Sequence, residues 1–275
     1  MDGIWSLGRV AHLVLLMQDL MLYTGVGSVE RYSVKPNYRY GVMLDVGSTS
    51  TKLRLYKWPK RNSKTELPNI HDFYDKRYKP SLTSYANDPE AISAYLQPII
   101  DRAKDVIPVD MHAETPIYAI ATAGMRILNA TASSRVFSTV RTHLANTSLS
   151  PFLFYPRQAR ISSGEEEGVF AWISVNYLKG AFSGKKTLPS QFTGVLEMGG
   201  GSTQITFLPG GPIYAGKFPV QIAGRIYPLY THSYLMYGQN YMIKRVNNHL
   251  TTQSPGAKGV YNPCMLKGDS RDDFE

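Results

Sequence analysis

Glu197-Met198-Gly199-Gly200-Gly201-Ser202-Thr203-Gln204-Ile205-Thr206-Phe207 has an echo about 150 residues upstream, Asp45-Val46-Gly47-Ser48-Thr49-Ser50-Thr51-Lys52-Leu53-Arg54-Leu55. Aligned without gaps, both read acid, apolar, Gly, two small residues, Ser, Thr, Lys or Gln, apolar, polar, apolar. Each follows a Gly-Val and a short apolar run, Gly41 to Leu44 in one case and Gly194 to Leu196 in the other. One such turn is a common tight β-turn. A matched pair, each ending its first strand in a carboxylate, predicts two related lobes that open with the same hairpin.

The segments between the hairpins predict an α/β chain, because strands alternate with helices. Tyr40 to Leu44 and Lys52 to Trp58 read as strands around the Gly47 turn, with Leu53 and Leu55 on one face and Arg54 and Tyr56 on the other. Pro59 to Ser84 is rich in Lys, Pro, Asn and Asp and reads as a surface excursion. Asp88-Pro89-Glu90 supplies an N-cap, a first-turn proline and an acid for the positive end of the dipole, so a helix is predicted there. Pro116 to Ala121 reads as a buried strand running into a small-residue turn, Thr122 to Arg126, that lets backbone approach a ligand. Ser133 to Leu144 reads as helical. Ser163 and Glu166 form a capping box opening a helix over 165–178, with Val169, Phe170, Ile173 and Tyr177 on its apolar side. Ser183 to Gln191 reads as a loop and Gly238 to Leu250 as a last helix.

With 275 residues, 43% hydrophobic and 19% charged, the chain is globular and long enough for two domains. The expected division is a leader and linker over 1–39, a first lobe over 40–160 and a partial second lobe over 161–275. A net charge of +9 suits an anionic ligand. The clusters Lys52 to Lys64 and Lys76 to Lys79 lack the interleaved motif of a nucleic-acid module, so they read as a solvated face and no nucleic-acid partner is expected. Cys264 is the single cysteine, which excludes a disulfide within the chain and a cysteine-based zinc site. Asn129-Ala130-Thr131 and Asn146-Thr147-Ser148 fit the N-glycosylation acceptor pattern. The apolar run Val10 to Met17 is too short to span a bilayer, which takes roughly 20 residues. It fits either a signal or anchor remnant or an amphipathic leader helix.

Chemistry enters through the turns. Their glycines and hydroxyls can form an anion-binding concavity, and a carboxylate beside it suits a divalent cation or its water shell rather than a phosphate. Two such turns across a cleft would clasp a chain of phosphates, the positioning that phosphoryl transfer needs. Gly164-Glu165-Glu166-Glu167-Gly168 holds more acids than capping requires, and a carboxylate able to polarise water separates a hydrolase from a kinase.

Taken in order, four motifs resemble the first four apyrase conserved regions of the nucleoside triphosphate diphosphohydrolases, the ecto-apyrase family. They are Asp45 to Thr51, Ala121 to Arg126, Ser163 to Gly168 with Trp172, and Glu197 to Gln204. Tyr230 to Gly238 and Asn262-Pro263-Cys264 also resemble that family's segments, so the likeness covers roughly 40–268. The resemblance implies the two-lobed actin/sugar-kinase-like (ribonuclease H-like) fold with its second lobe incomplete. It implies hydrolysis of the terminal phosphate of nucleoside tri- or diphosphates of the ATP, ADP, UDP or GDP class. Asp45 and Glu197 would hold Ca²⁺ or Mg²⁺ through water. Gly47, Ser48, Thr49, Thr122, Ala123 and the Gly199-Gly200-Gly201-Ser202 backbone would bind phosphate. Glu167 would be the general base, with Ser202 and Gln204 placing the water, and Arg126 would be structural. The implied setting is a membrane or the secretory pathway, at the cell surface or in the Golgi or ER lumen, with membrane association in a full-length form.

The chain departs from the family pattern at Glu197, where Asp is usual, and at Ser50, where His or Arg is usual. Met236 stands where cell-surface members commonly have a cysteine, and the partner that the resemblance implies for Cys264 lies later than these residues. Members also run on through a fifth conserved region with a Trp and an Asn on a helix, which these 275 residues do not contain. A catalytically inactive phosphate-binding remnant, and a kinase or chaperone-type ATPase of the same fold, are the competing readings. Glu167 discriminates against the last, which needs no such acidic helix start.

Overall fold

The computed structural model describes residues 38–60, 67–183, 188–257, 259–266 and 268. The apolar run at 10–17 lies outside them. Strands β1 (Tyr38–Val46) and β2 (Thr51–Pro59) form the first hairpin, followed by β3 (His71–Tyr78), helix α1 (Ala91–Val106), β4 (Ile117–Ala121), the short helix α2 (Ala123–Arg126), helix α3 (Ala130–Ala145) and β5 (Ala159–Ile161). Helix α4 (Gly164–Leu178) leads to the second hairpin, β6 (Val195–Met198) and β7 (Ser202–Phe207), then β8 (Lys217–Ile222), β9 (Arg225–Leu235) and helix α5 (Gln239–Gln253).

The first sheet runs β3-β2-β1-β4-β5, with β1, β4 and β5 parallel and the β1–β2–β3 meander antiparallel. The second runs β6-β7-β9-β8, antiparallel throughout. Both hairpins close with the same hydrogen bond, Gly47 N to Ser50 O at 3.0 Å and Gly199 N to Ser202 O at 2.9 Å. Their registers also correspond: Asp45 lies opposite Lys52, and Glu197 opposite Gln204.

Burial explains where the strand reading needs correction. Arg54 and Tyr56 lie on the face opposite Leu53 and Leu55 as the alternation predicts, and that face too is dry, at 4% and 0% exposure. The sheet is covered on both sides, as sheets with parallel strands usually are. Val42, Leu44, Leu53 and Leu55 face a core with α1 and α3, while Met43, Tyr56, Trp58, Tyr118 and Ile120 face a second core built on α4, β8 and β9. Helix α4 is therefore buried nearly all round rather than along one stripe, with Trp172 ringed by Phe182, Phe192 and Tyr227. The region expected as a surface excursion contains a third strand, β3, whose alternation is hidden because it is a largely exposed edge strand carrying Asp72, Asp75, Lys76 and Arg77.

Capping sets the helix starts. The Ser163–Glu166 box forms as predicted, with Glu166 N donating to Ser163 Oγ at 3.1 Å and Ser163 N to Glu166 Oε2 at 2.9 Å. Helix α3 begins three residues before Ser133, because Asn129 Oδ1 caps it by accepting from Ala132 N at 2.8 Å. Helix α1 begins at Ala91, whose N–H donates to Asp88 Oδ1 at 3.4 Å. The stretch expected as a turn after β4 is one helical turn, α2.

Candidate active site

The two turns meet. A methyl group placed on Gly200 would fall 2.6 Å from Ser48 Oγ, and one on Gly201 would fall 2.8 Å from the Ala123 Cβ. A methyl on Gly124 would fall 2.7 Å from Ser48 Cα, so only glycine lets α2 sit against the first turn. Ser48, Ala123, Gly200 and Gly201 thus belong to one junction. Thr122 adjoins it, since β4 runs parallel to β1 and Thr122 N donates to Val46 O at 3.2 Å. Behind the second turn, Met236 N, Gln239 N and Asn240 N donate to Gly201 O, Gly199 O and Gly200 O at 2.8, 2.9 and 3.1 Å. With those carbonyls taken, the groups this turn can present to an anion are amide N–H donors.

The three consecutive acids of α4 divide their work. Glu166 serves the cap and a bidentate ion pair with Arg160, at 2.6 and 2.9 Å. Glu167, 13% exposed, turns inward. Its Oε2 accepts from Gln204 Nε2 at 3.0 Å, Arg126 Nη2 at 3.1 Å and Ser202 Oγ at 3.2 Å. Gln204 Nε2 also reaches Ser202 Oγ at 2.6 Å and Ser233 Oγ at 3.0 Å. The other carboxylate oxygen, Oε1, is buried with no hydrogen-bond partner among the described residues, and so is Gln204 Oε1. One end of the carboxylate is therefore clamped by three donors while the other is left to accept from something outside the protein.

Arg126 and Lys52 hold positions the sequence reading did not assign to them. Arg126 does have a structural bond, Nη1 to Ser162 O at 3.0 Å, but its Nη2 spans Glu167 and Ser202. The hint was its place at the end of the Thr122 motif. Lys52, expected on a solvated face, has its Nζ 3.4 Å from Asp45 Oδ2. The gapless alignment of the two hairpins, which sets Lys52 against Gln204, already marked that position.

Electrostatically the site is crowded with negative charge. Burial raises the Glu167 carboxyl above its ordinary range, against the pull of Arg126 and the bond from Ser202. Burial and then the neighbouring charges of Glu167 and Asp45 push Glu197 up to about 7. Three mutually repelling carboxylates with two cations near them suit an added positive charge. No cluster of three or more His, Cys, Asp or Glu side chains forms a metal cage among the described residues. Asp45 and Glu197 bear two of those three charges, and a hydrated divalent cation is a species that would offset them.

Residues 32–273 match the GDA1/CD39 (nucleoside phosphatase) family. Relatives include an ectonucleoside triphosphate diphosphohydrolase 8 of Gallus gallus, 39% identical over 86% of this chain and 49% of that protein. Another is an ectonucleoside triphosphate diphosphohydrolase 3 of Homo sapiens, 32% identical over 96% of this chain and 52% of that protein. The chain spans about half the length of the curated relatives it matches. A solved nucleoside triphosphate hydrolase from Neospora caninum superposes with a TM-score of 0.64 at 18% identity, over 79% of this chain and 48% of that one. The fold is of the actin/sugar-kinase-like type. Carrying both turns, the acidic helix start and the matched sequence from 32 to 273, the chain belongs to the GDA1/CD39 (nucleoside phosphatase) family.

Proposed function

We propose that this chain carries the phosphate-clasping and water-activating parts of a nucleoside tri- or diphosphate phosphohydrolase. The observation that carries the reading is Glu167: one oxygen fixed by Arg126, Ser202 and Gln204, the other buried and unpartnered beside the junction of the two turns. A bound divalent cation, Ca²⁺ or Mg²⁺, would neutralise the phosphate chain, and Asp45 and Glu197 are the residues to hold it through water. Ser48, Thr49, Thr122 and the amides of Gly200 to Ser202 orient the terminal phosphoryl group, the Gly199 amide being taken by Ser202 O. Glu167 Oε1 accepts a proton from the attacking water, whose oxygen bonds to phosphorus as the bond to the leaving phosphate oxygen breaks. Burial raises the Glu167 carboxyl pKa, which makes it a stronger base than an exposed glutamate.

The relatives' names support a nucleotide substrate, and their designation as ecto-enzymes supports a cell-surface or luminal setting. Among the described residues no helix is long and apolar enough to cross a membrane. The test is phosphate release from ATP and ADP with Ca²⁺ or Mg²⁺ supplied and then chelated. Chelation is expected to abolish release, and Glu167→Gln to lower kcat by about 10²- to 10⁴-fold. Hydrolysis within about threefold of wild type in Glu167→Gln sinks the base assignment, since loss of a general base costs far more.

A further inference from the structure

Lys52 and Gln204 occupy equivalent places in the two hairpins. Each stands directly across the strand pair from a carboxylate, Lys52 from Asp45 and Gln204 from Glu197. Gln204 belongs to the site, since its amide reaches Glu167, Ser202 and Ser233. On the first side the same position carries a full positive charge. Its Nζ lies 3.4 Å from Asp45 Oδ2, with the Lys52 side chain 31% exposed and that of Asp45 only 7%. Of the two cations whose charge is felt at Glu197, Arg126 is committed to Glu167, Ser202 and Ser162. Lys52 has its ion pair with the very carboxylate assigned to the metal.

We propose that Lys52 is a positioning and affinity-setting residue of the phosphate clamp. Its ammonium holds Asp45 while no cation is bound, and moves to the phosphate oxygens of a nucleotide once a divalent cation takes Asp45. This rests on the assignment of Asp45 to the cation. An ammonium on a flexible four-carbon stem, with three rotatable donors, can change acceptors without backbone movement. An ammonium and a divalent cation repel one another at a shared carboxylate, so one must yield. Two consequences follow. The nucleotide-free protein binds a cation more weakly than its two carboxylates would without the lysine. Cation and nucleotide then favour one another's binding, because the displaced ammonium gains a phosphate, and that coupling is reciprocal.

The full chain is titrated calorimetrically with Ca²⁺ in the absence of nucleotide, and then with a non-hydrolysable ATP analogue with and without saturating Ca²⁺. Lys52→Met, which keeps the stem and removes the charge, is expected to bind Ca²⁺ about three- to tenfold more tightly. The same variant should bind the analogue about three- to tenfold more weakly in saturating Ca²⁺, with the loss in turnover appearing in KM more than in kcat. Lys52→Arg should restore most of the nucleotide affinity. Lys52→Gln, which copies the second hairpin, replaces the Met variant if circular dichroism shows that variant unfolded. A lysine that only bridges two strands would leave analogue affinity in saturating Ca²⁺ unchanged in Lys52→Met, and that result overturns the proposal. Unchanged or weaker Ca²⁺ binding by Lys52→Met overturns it too, as does a wild-type chain that binds no Ca²⁺. Both shifts in Lys52→Met, together with a wild-type chain that releases no phosphate, leave this proposal standing and refute the hydrolase reading alone.

Discussion

Arg126→Met tests whether the guanidinium tunes the candidate base or only ties segments together. The substitution deletes the 3.1 Å bond to Glu167 Oε2, the 3.2 Å bond to Ser202 Oγ and the 3.0 Å bond to Ser162 O. Both charged side chains are mostly buried, at 15% and 13% exposure, so Glu167 loses its counter-ion where water replaces it poorly. Breaking a buried pair from one side costs about 3–5 kcal/mol, and partial solvent access here brings the expectation to about 2–4 kcal/mol. The electrostatic sign is also determined. Arg126 lowers the Glu167 pKa against the raising effect of burial, so without it the carboxyl protonates at higher pH. The acidic limb of the pH–kcat profile should therefore move toward alkaline pH, and kcat on the plateau should fall about 10- to 100-fold as the base is misplaced. Initial rates of phosphate release across the pH range measure both effects, and urea unfolding measures the stability loss. Arg126→Lys, which retains charge without the forked geometry, should recover the pH limb more fully than the rate. A destabilised Arg126→Met protein with unchanged pH dependence and kcat within about twofold would refute the tuning role, because positioning of a base carries a larger penalty.

The junction of the turns makes Gly124→Ala a test of close approach. Its methyl would fall 2.7 Å from Ser48 Cα, backbone that cannot yield cheaply, so about 1–3 kcal/mol of stability and a several-fold rise in nucleotide KM are expected. Equal stability and KM in the variant would show that the first turn and α2 are not packed this way. His143, 3% exposed on α3, supplies a pH dependence of stability. Burial holds its imidazole below the ordinary value against the opposing pull of Asp101, and neither ring nitrogen has a hydrogen-bond partner among the described residues. The unfolded chain then binds the proton first, so stability is complete above about pH 6.5 and falls as pH drops through the folded-state value. Urea midpoints over a pH series should show this slope in wild type and a shallower one in His143→Leu. Identical slopes would assign the acid sensitivity elsewhere.

Much of the first hairpin and nearly all of the second were legible because their determinants are local. A carboxylate, a glycine and two small residues between apolar runs dictate the turn, and the turn dictates the register. The capping box at Ser163 was readable for the same reason. The alternation of Leu53 and Leu55 against Arg54 and Tyr56 was legible, but alternation does not reveal that this sheet has a core on each side. Strand β3 escaped because edge strands keep polar residues and their partner is supplied by β2, not by their own pattern. Capping and the helix dipole alone do not rank Glu165, Glu166 and Glu167, since all three suit a first turn, and it was the family resemblance that singled out Glu167.

By itself, then, the sequence determined two carboxylate-bearing turns, an α/β chain and a helix opening in acids. Only the tertiary structure showed how Glu167, the acid named by the family resemblance, is held, with Arg126, Ser202 and Gln204 all on one of its oxygens. Parallel pairing of β4 with β1 sets α2 against the first turn and Arg126 within reach of Glu167 and Ser202, and α4 packed on β7 and β9 aims Glu167 at Ser202 and Gln204. Those contacts join residues 35 to 76 positions apart. Short-range propensity has no reach over such a separation; burial of α4 between two sheets does.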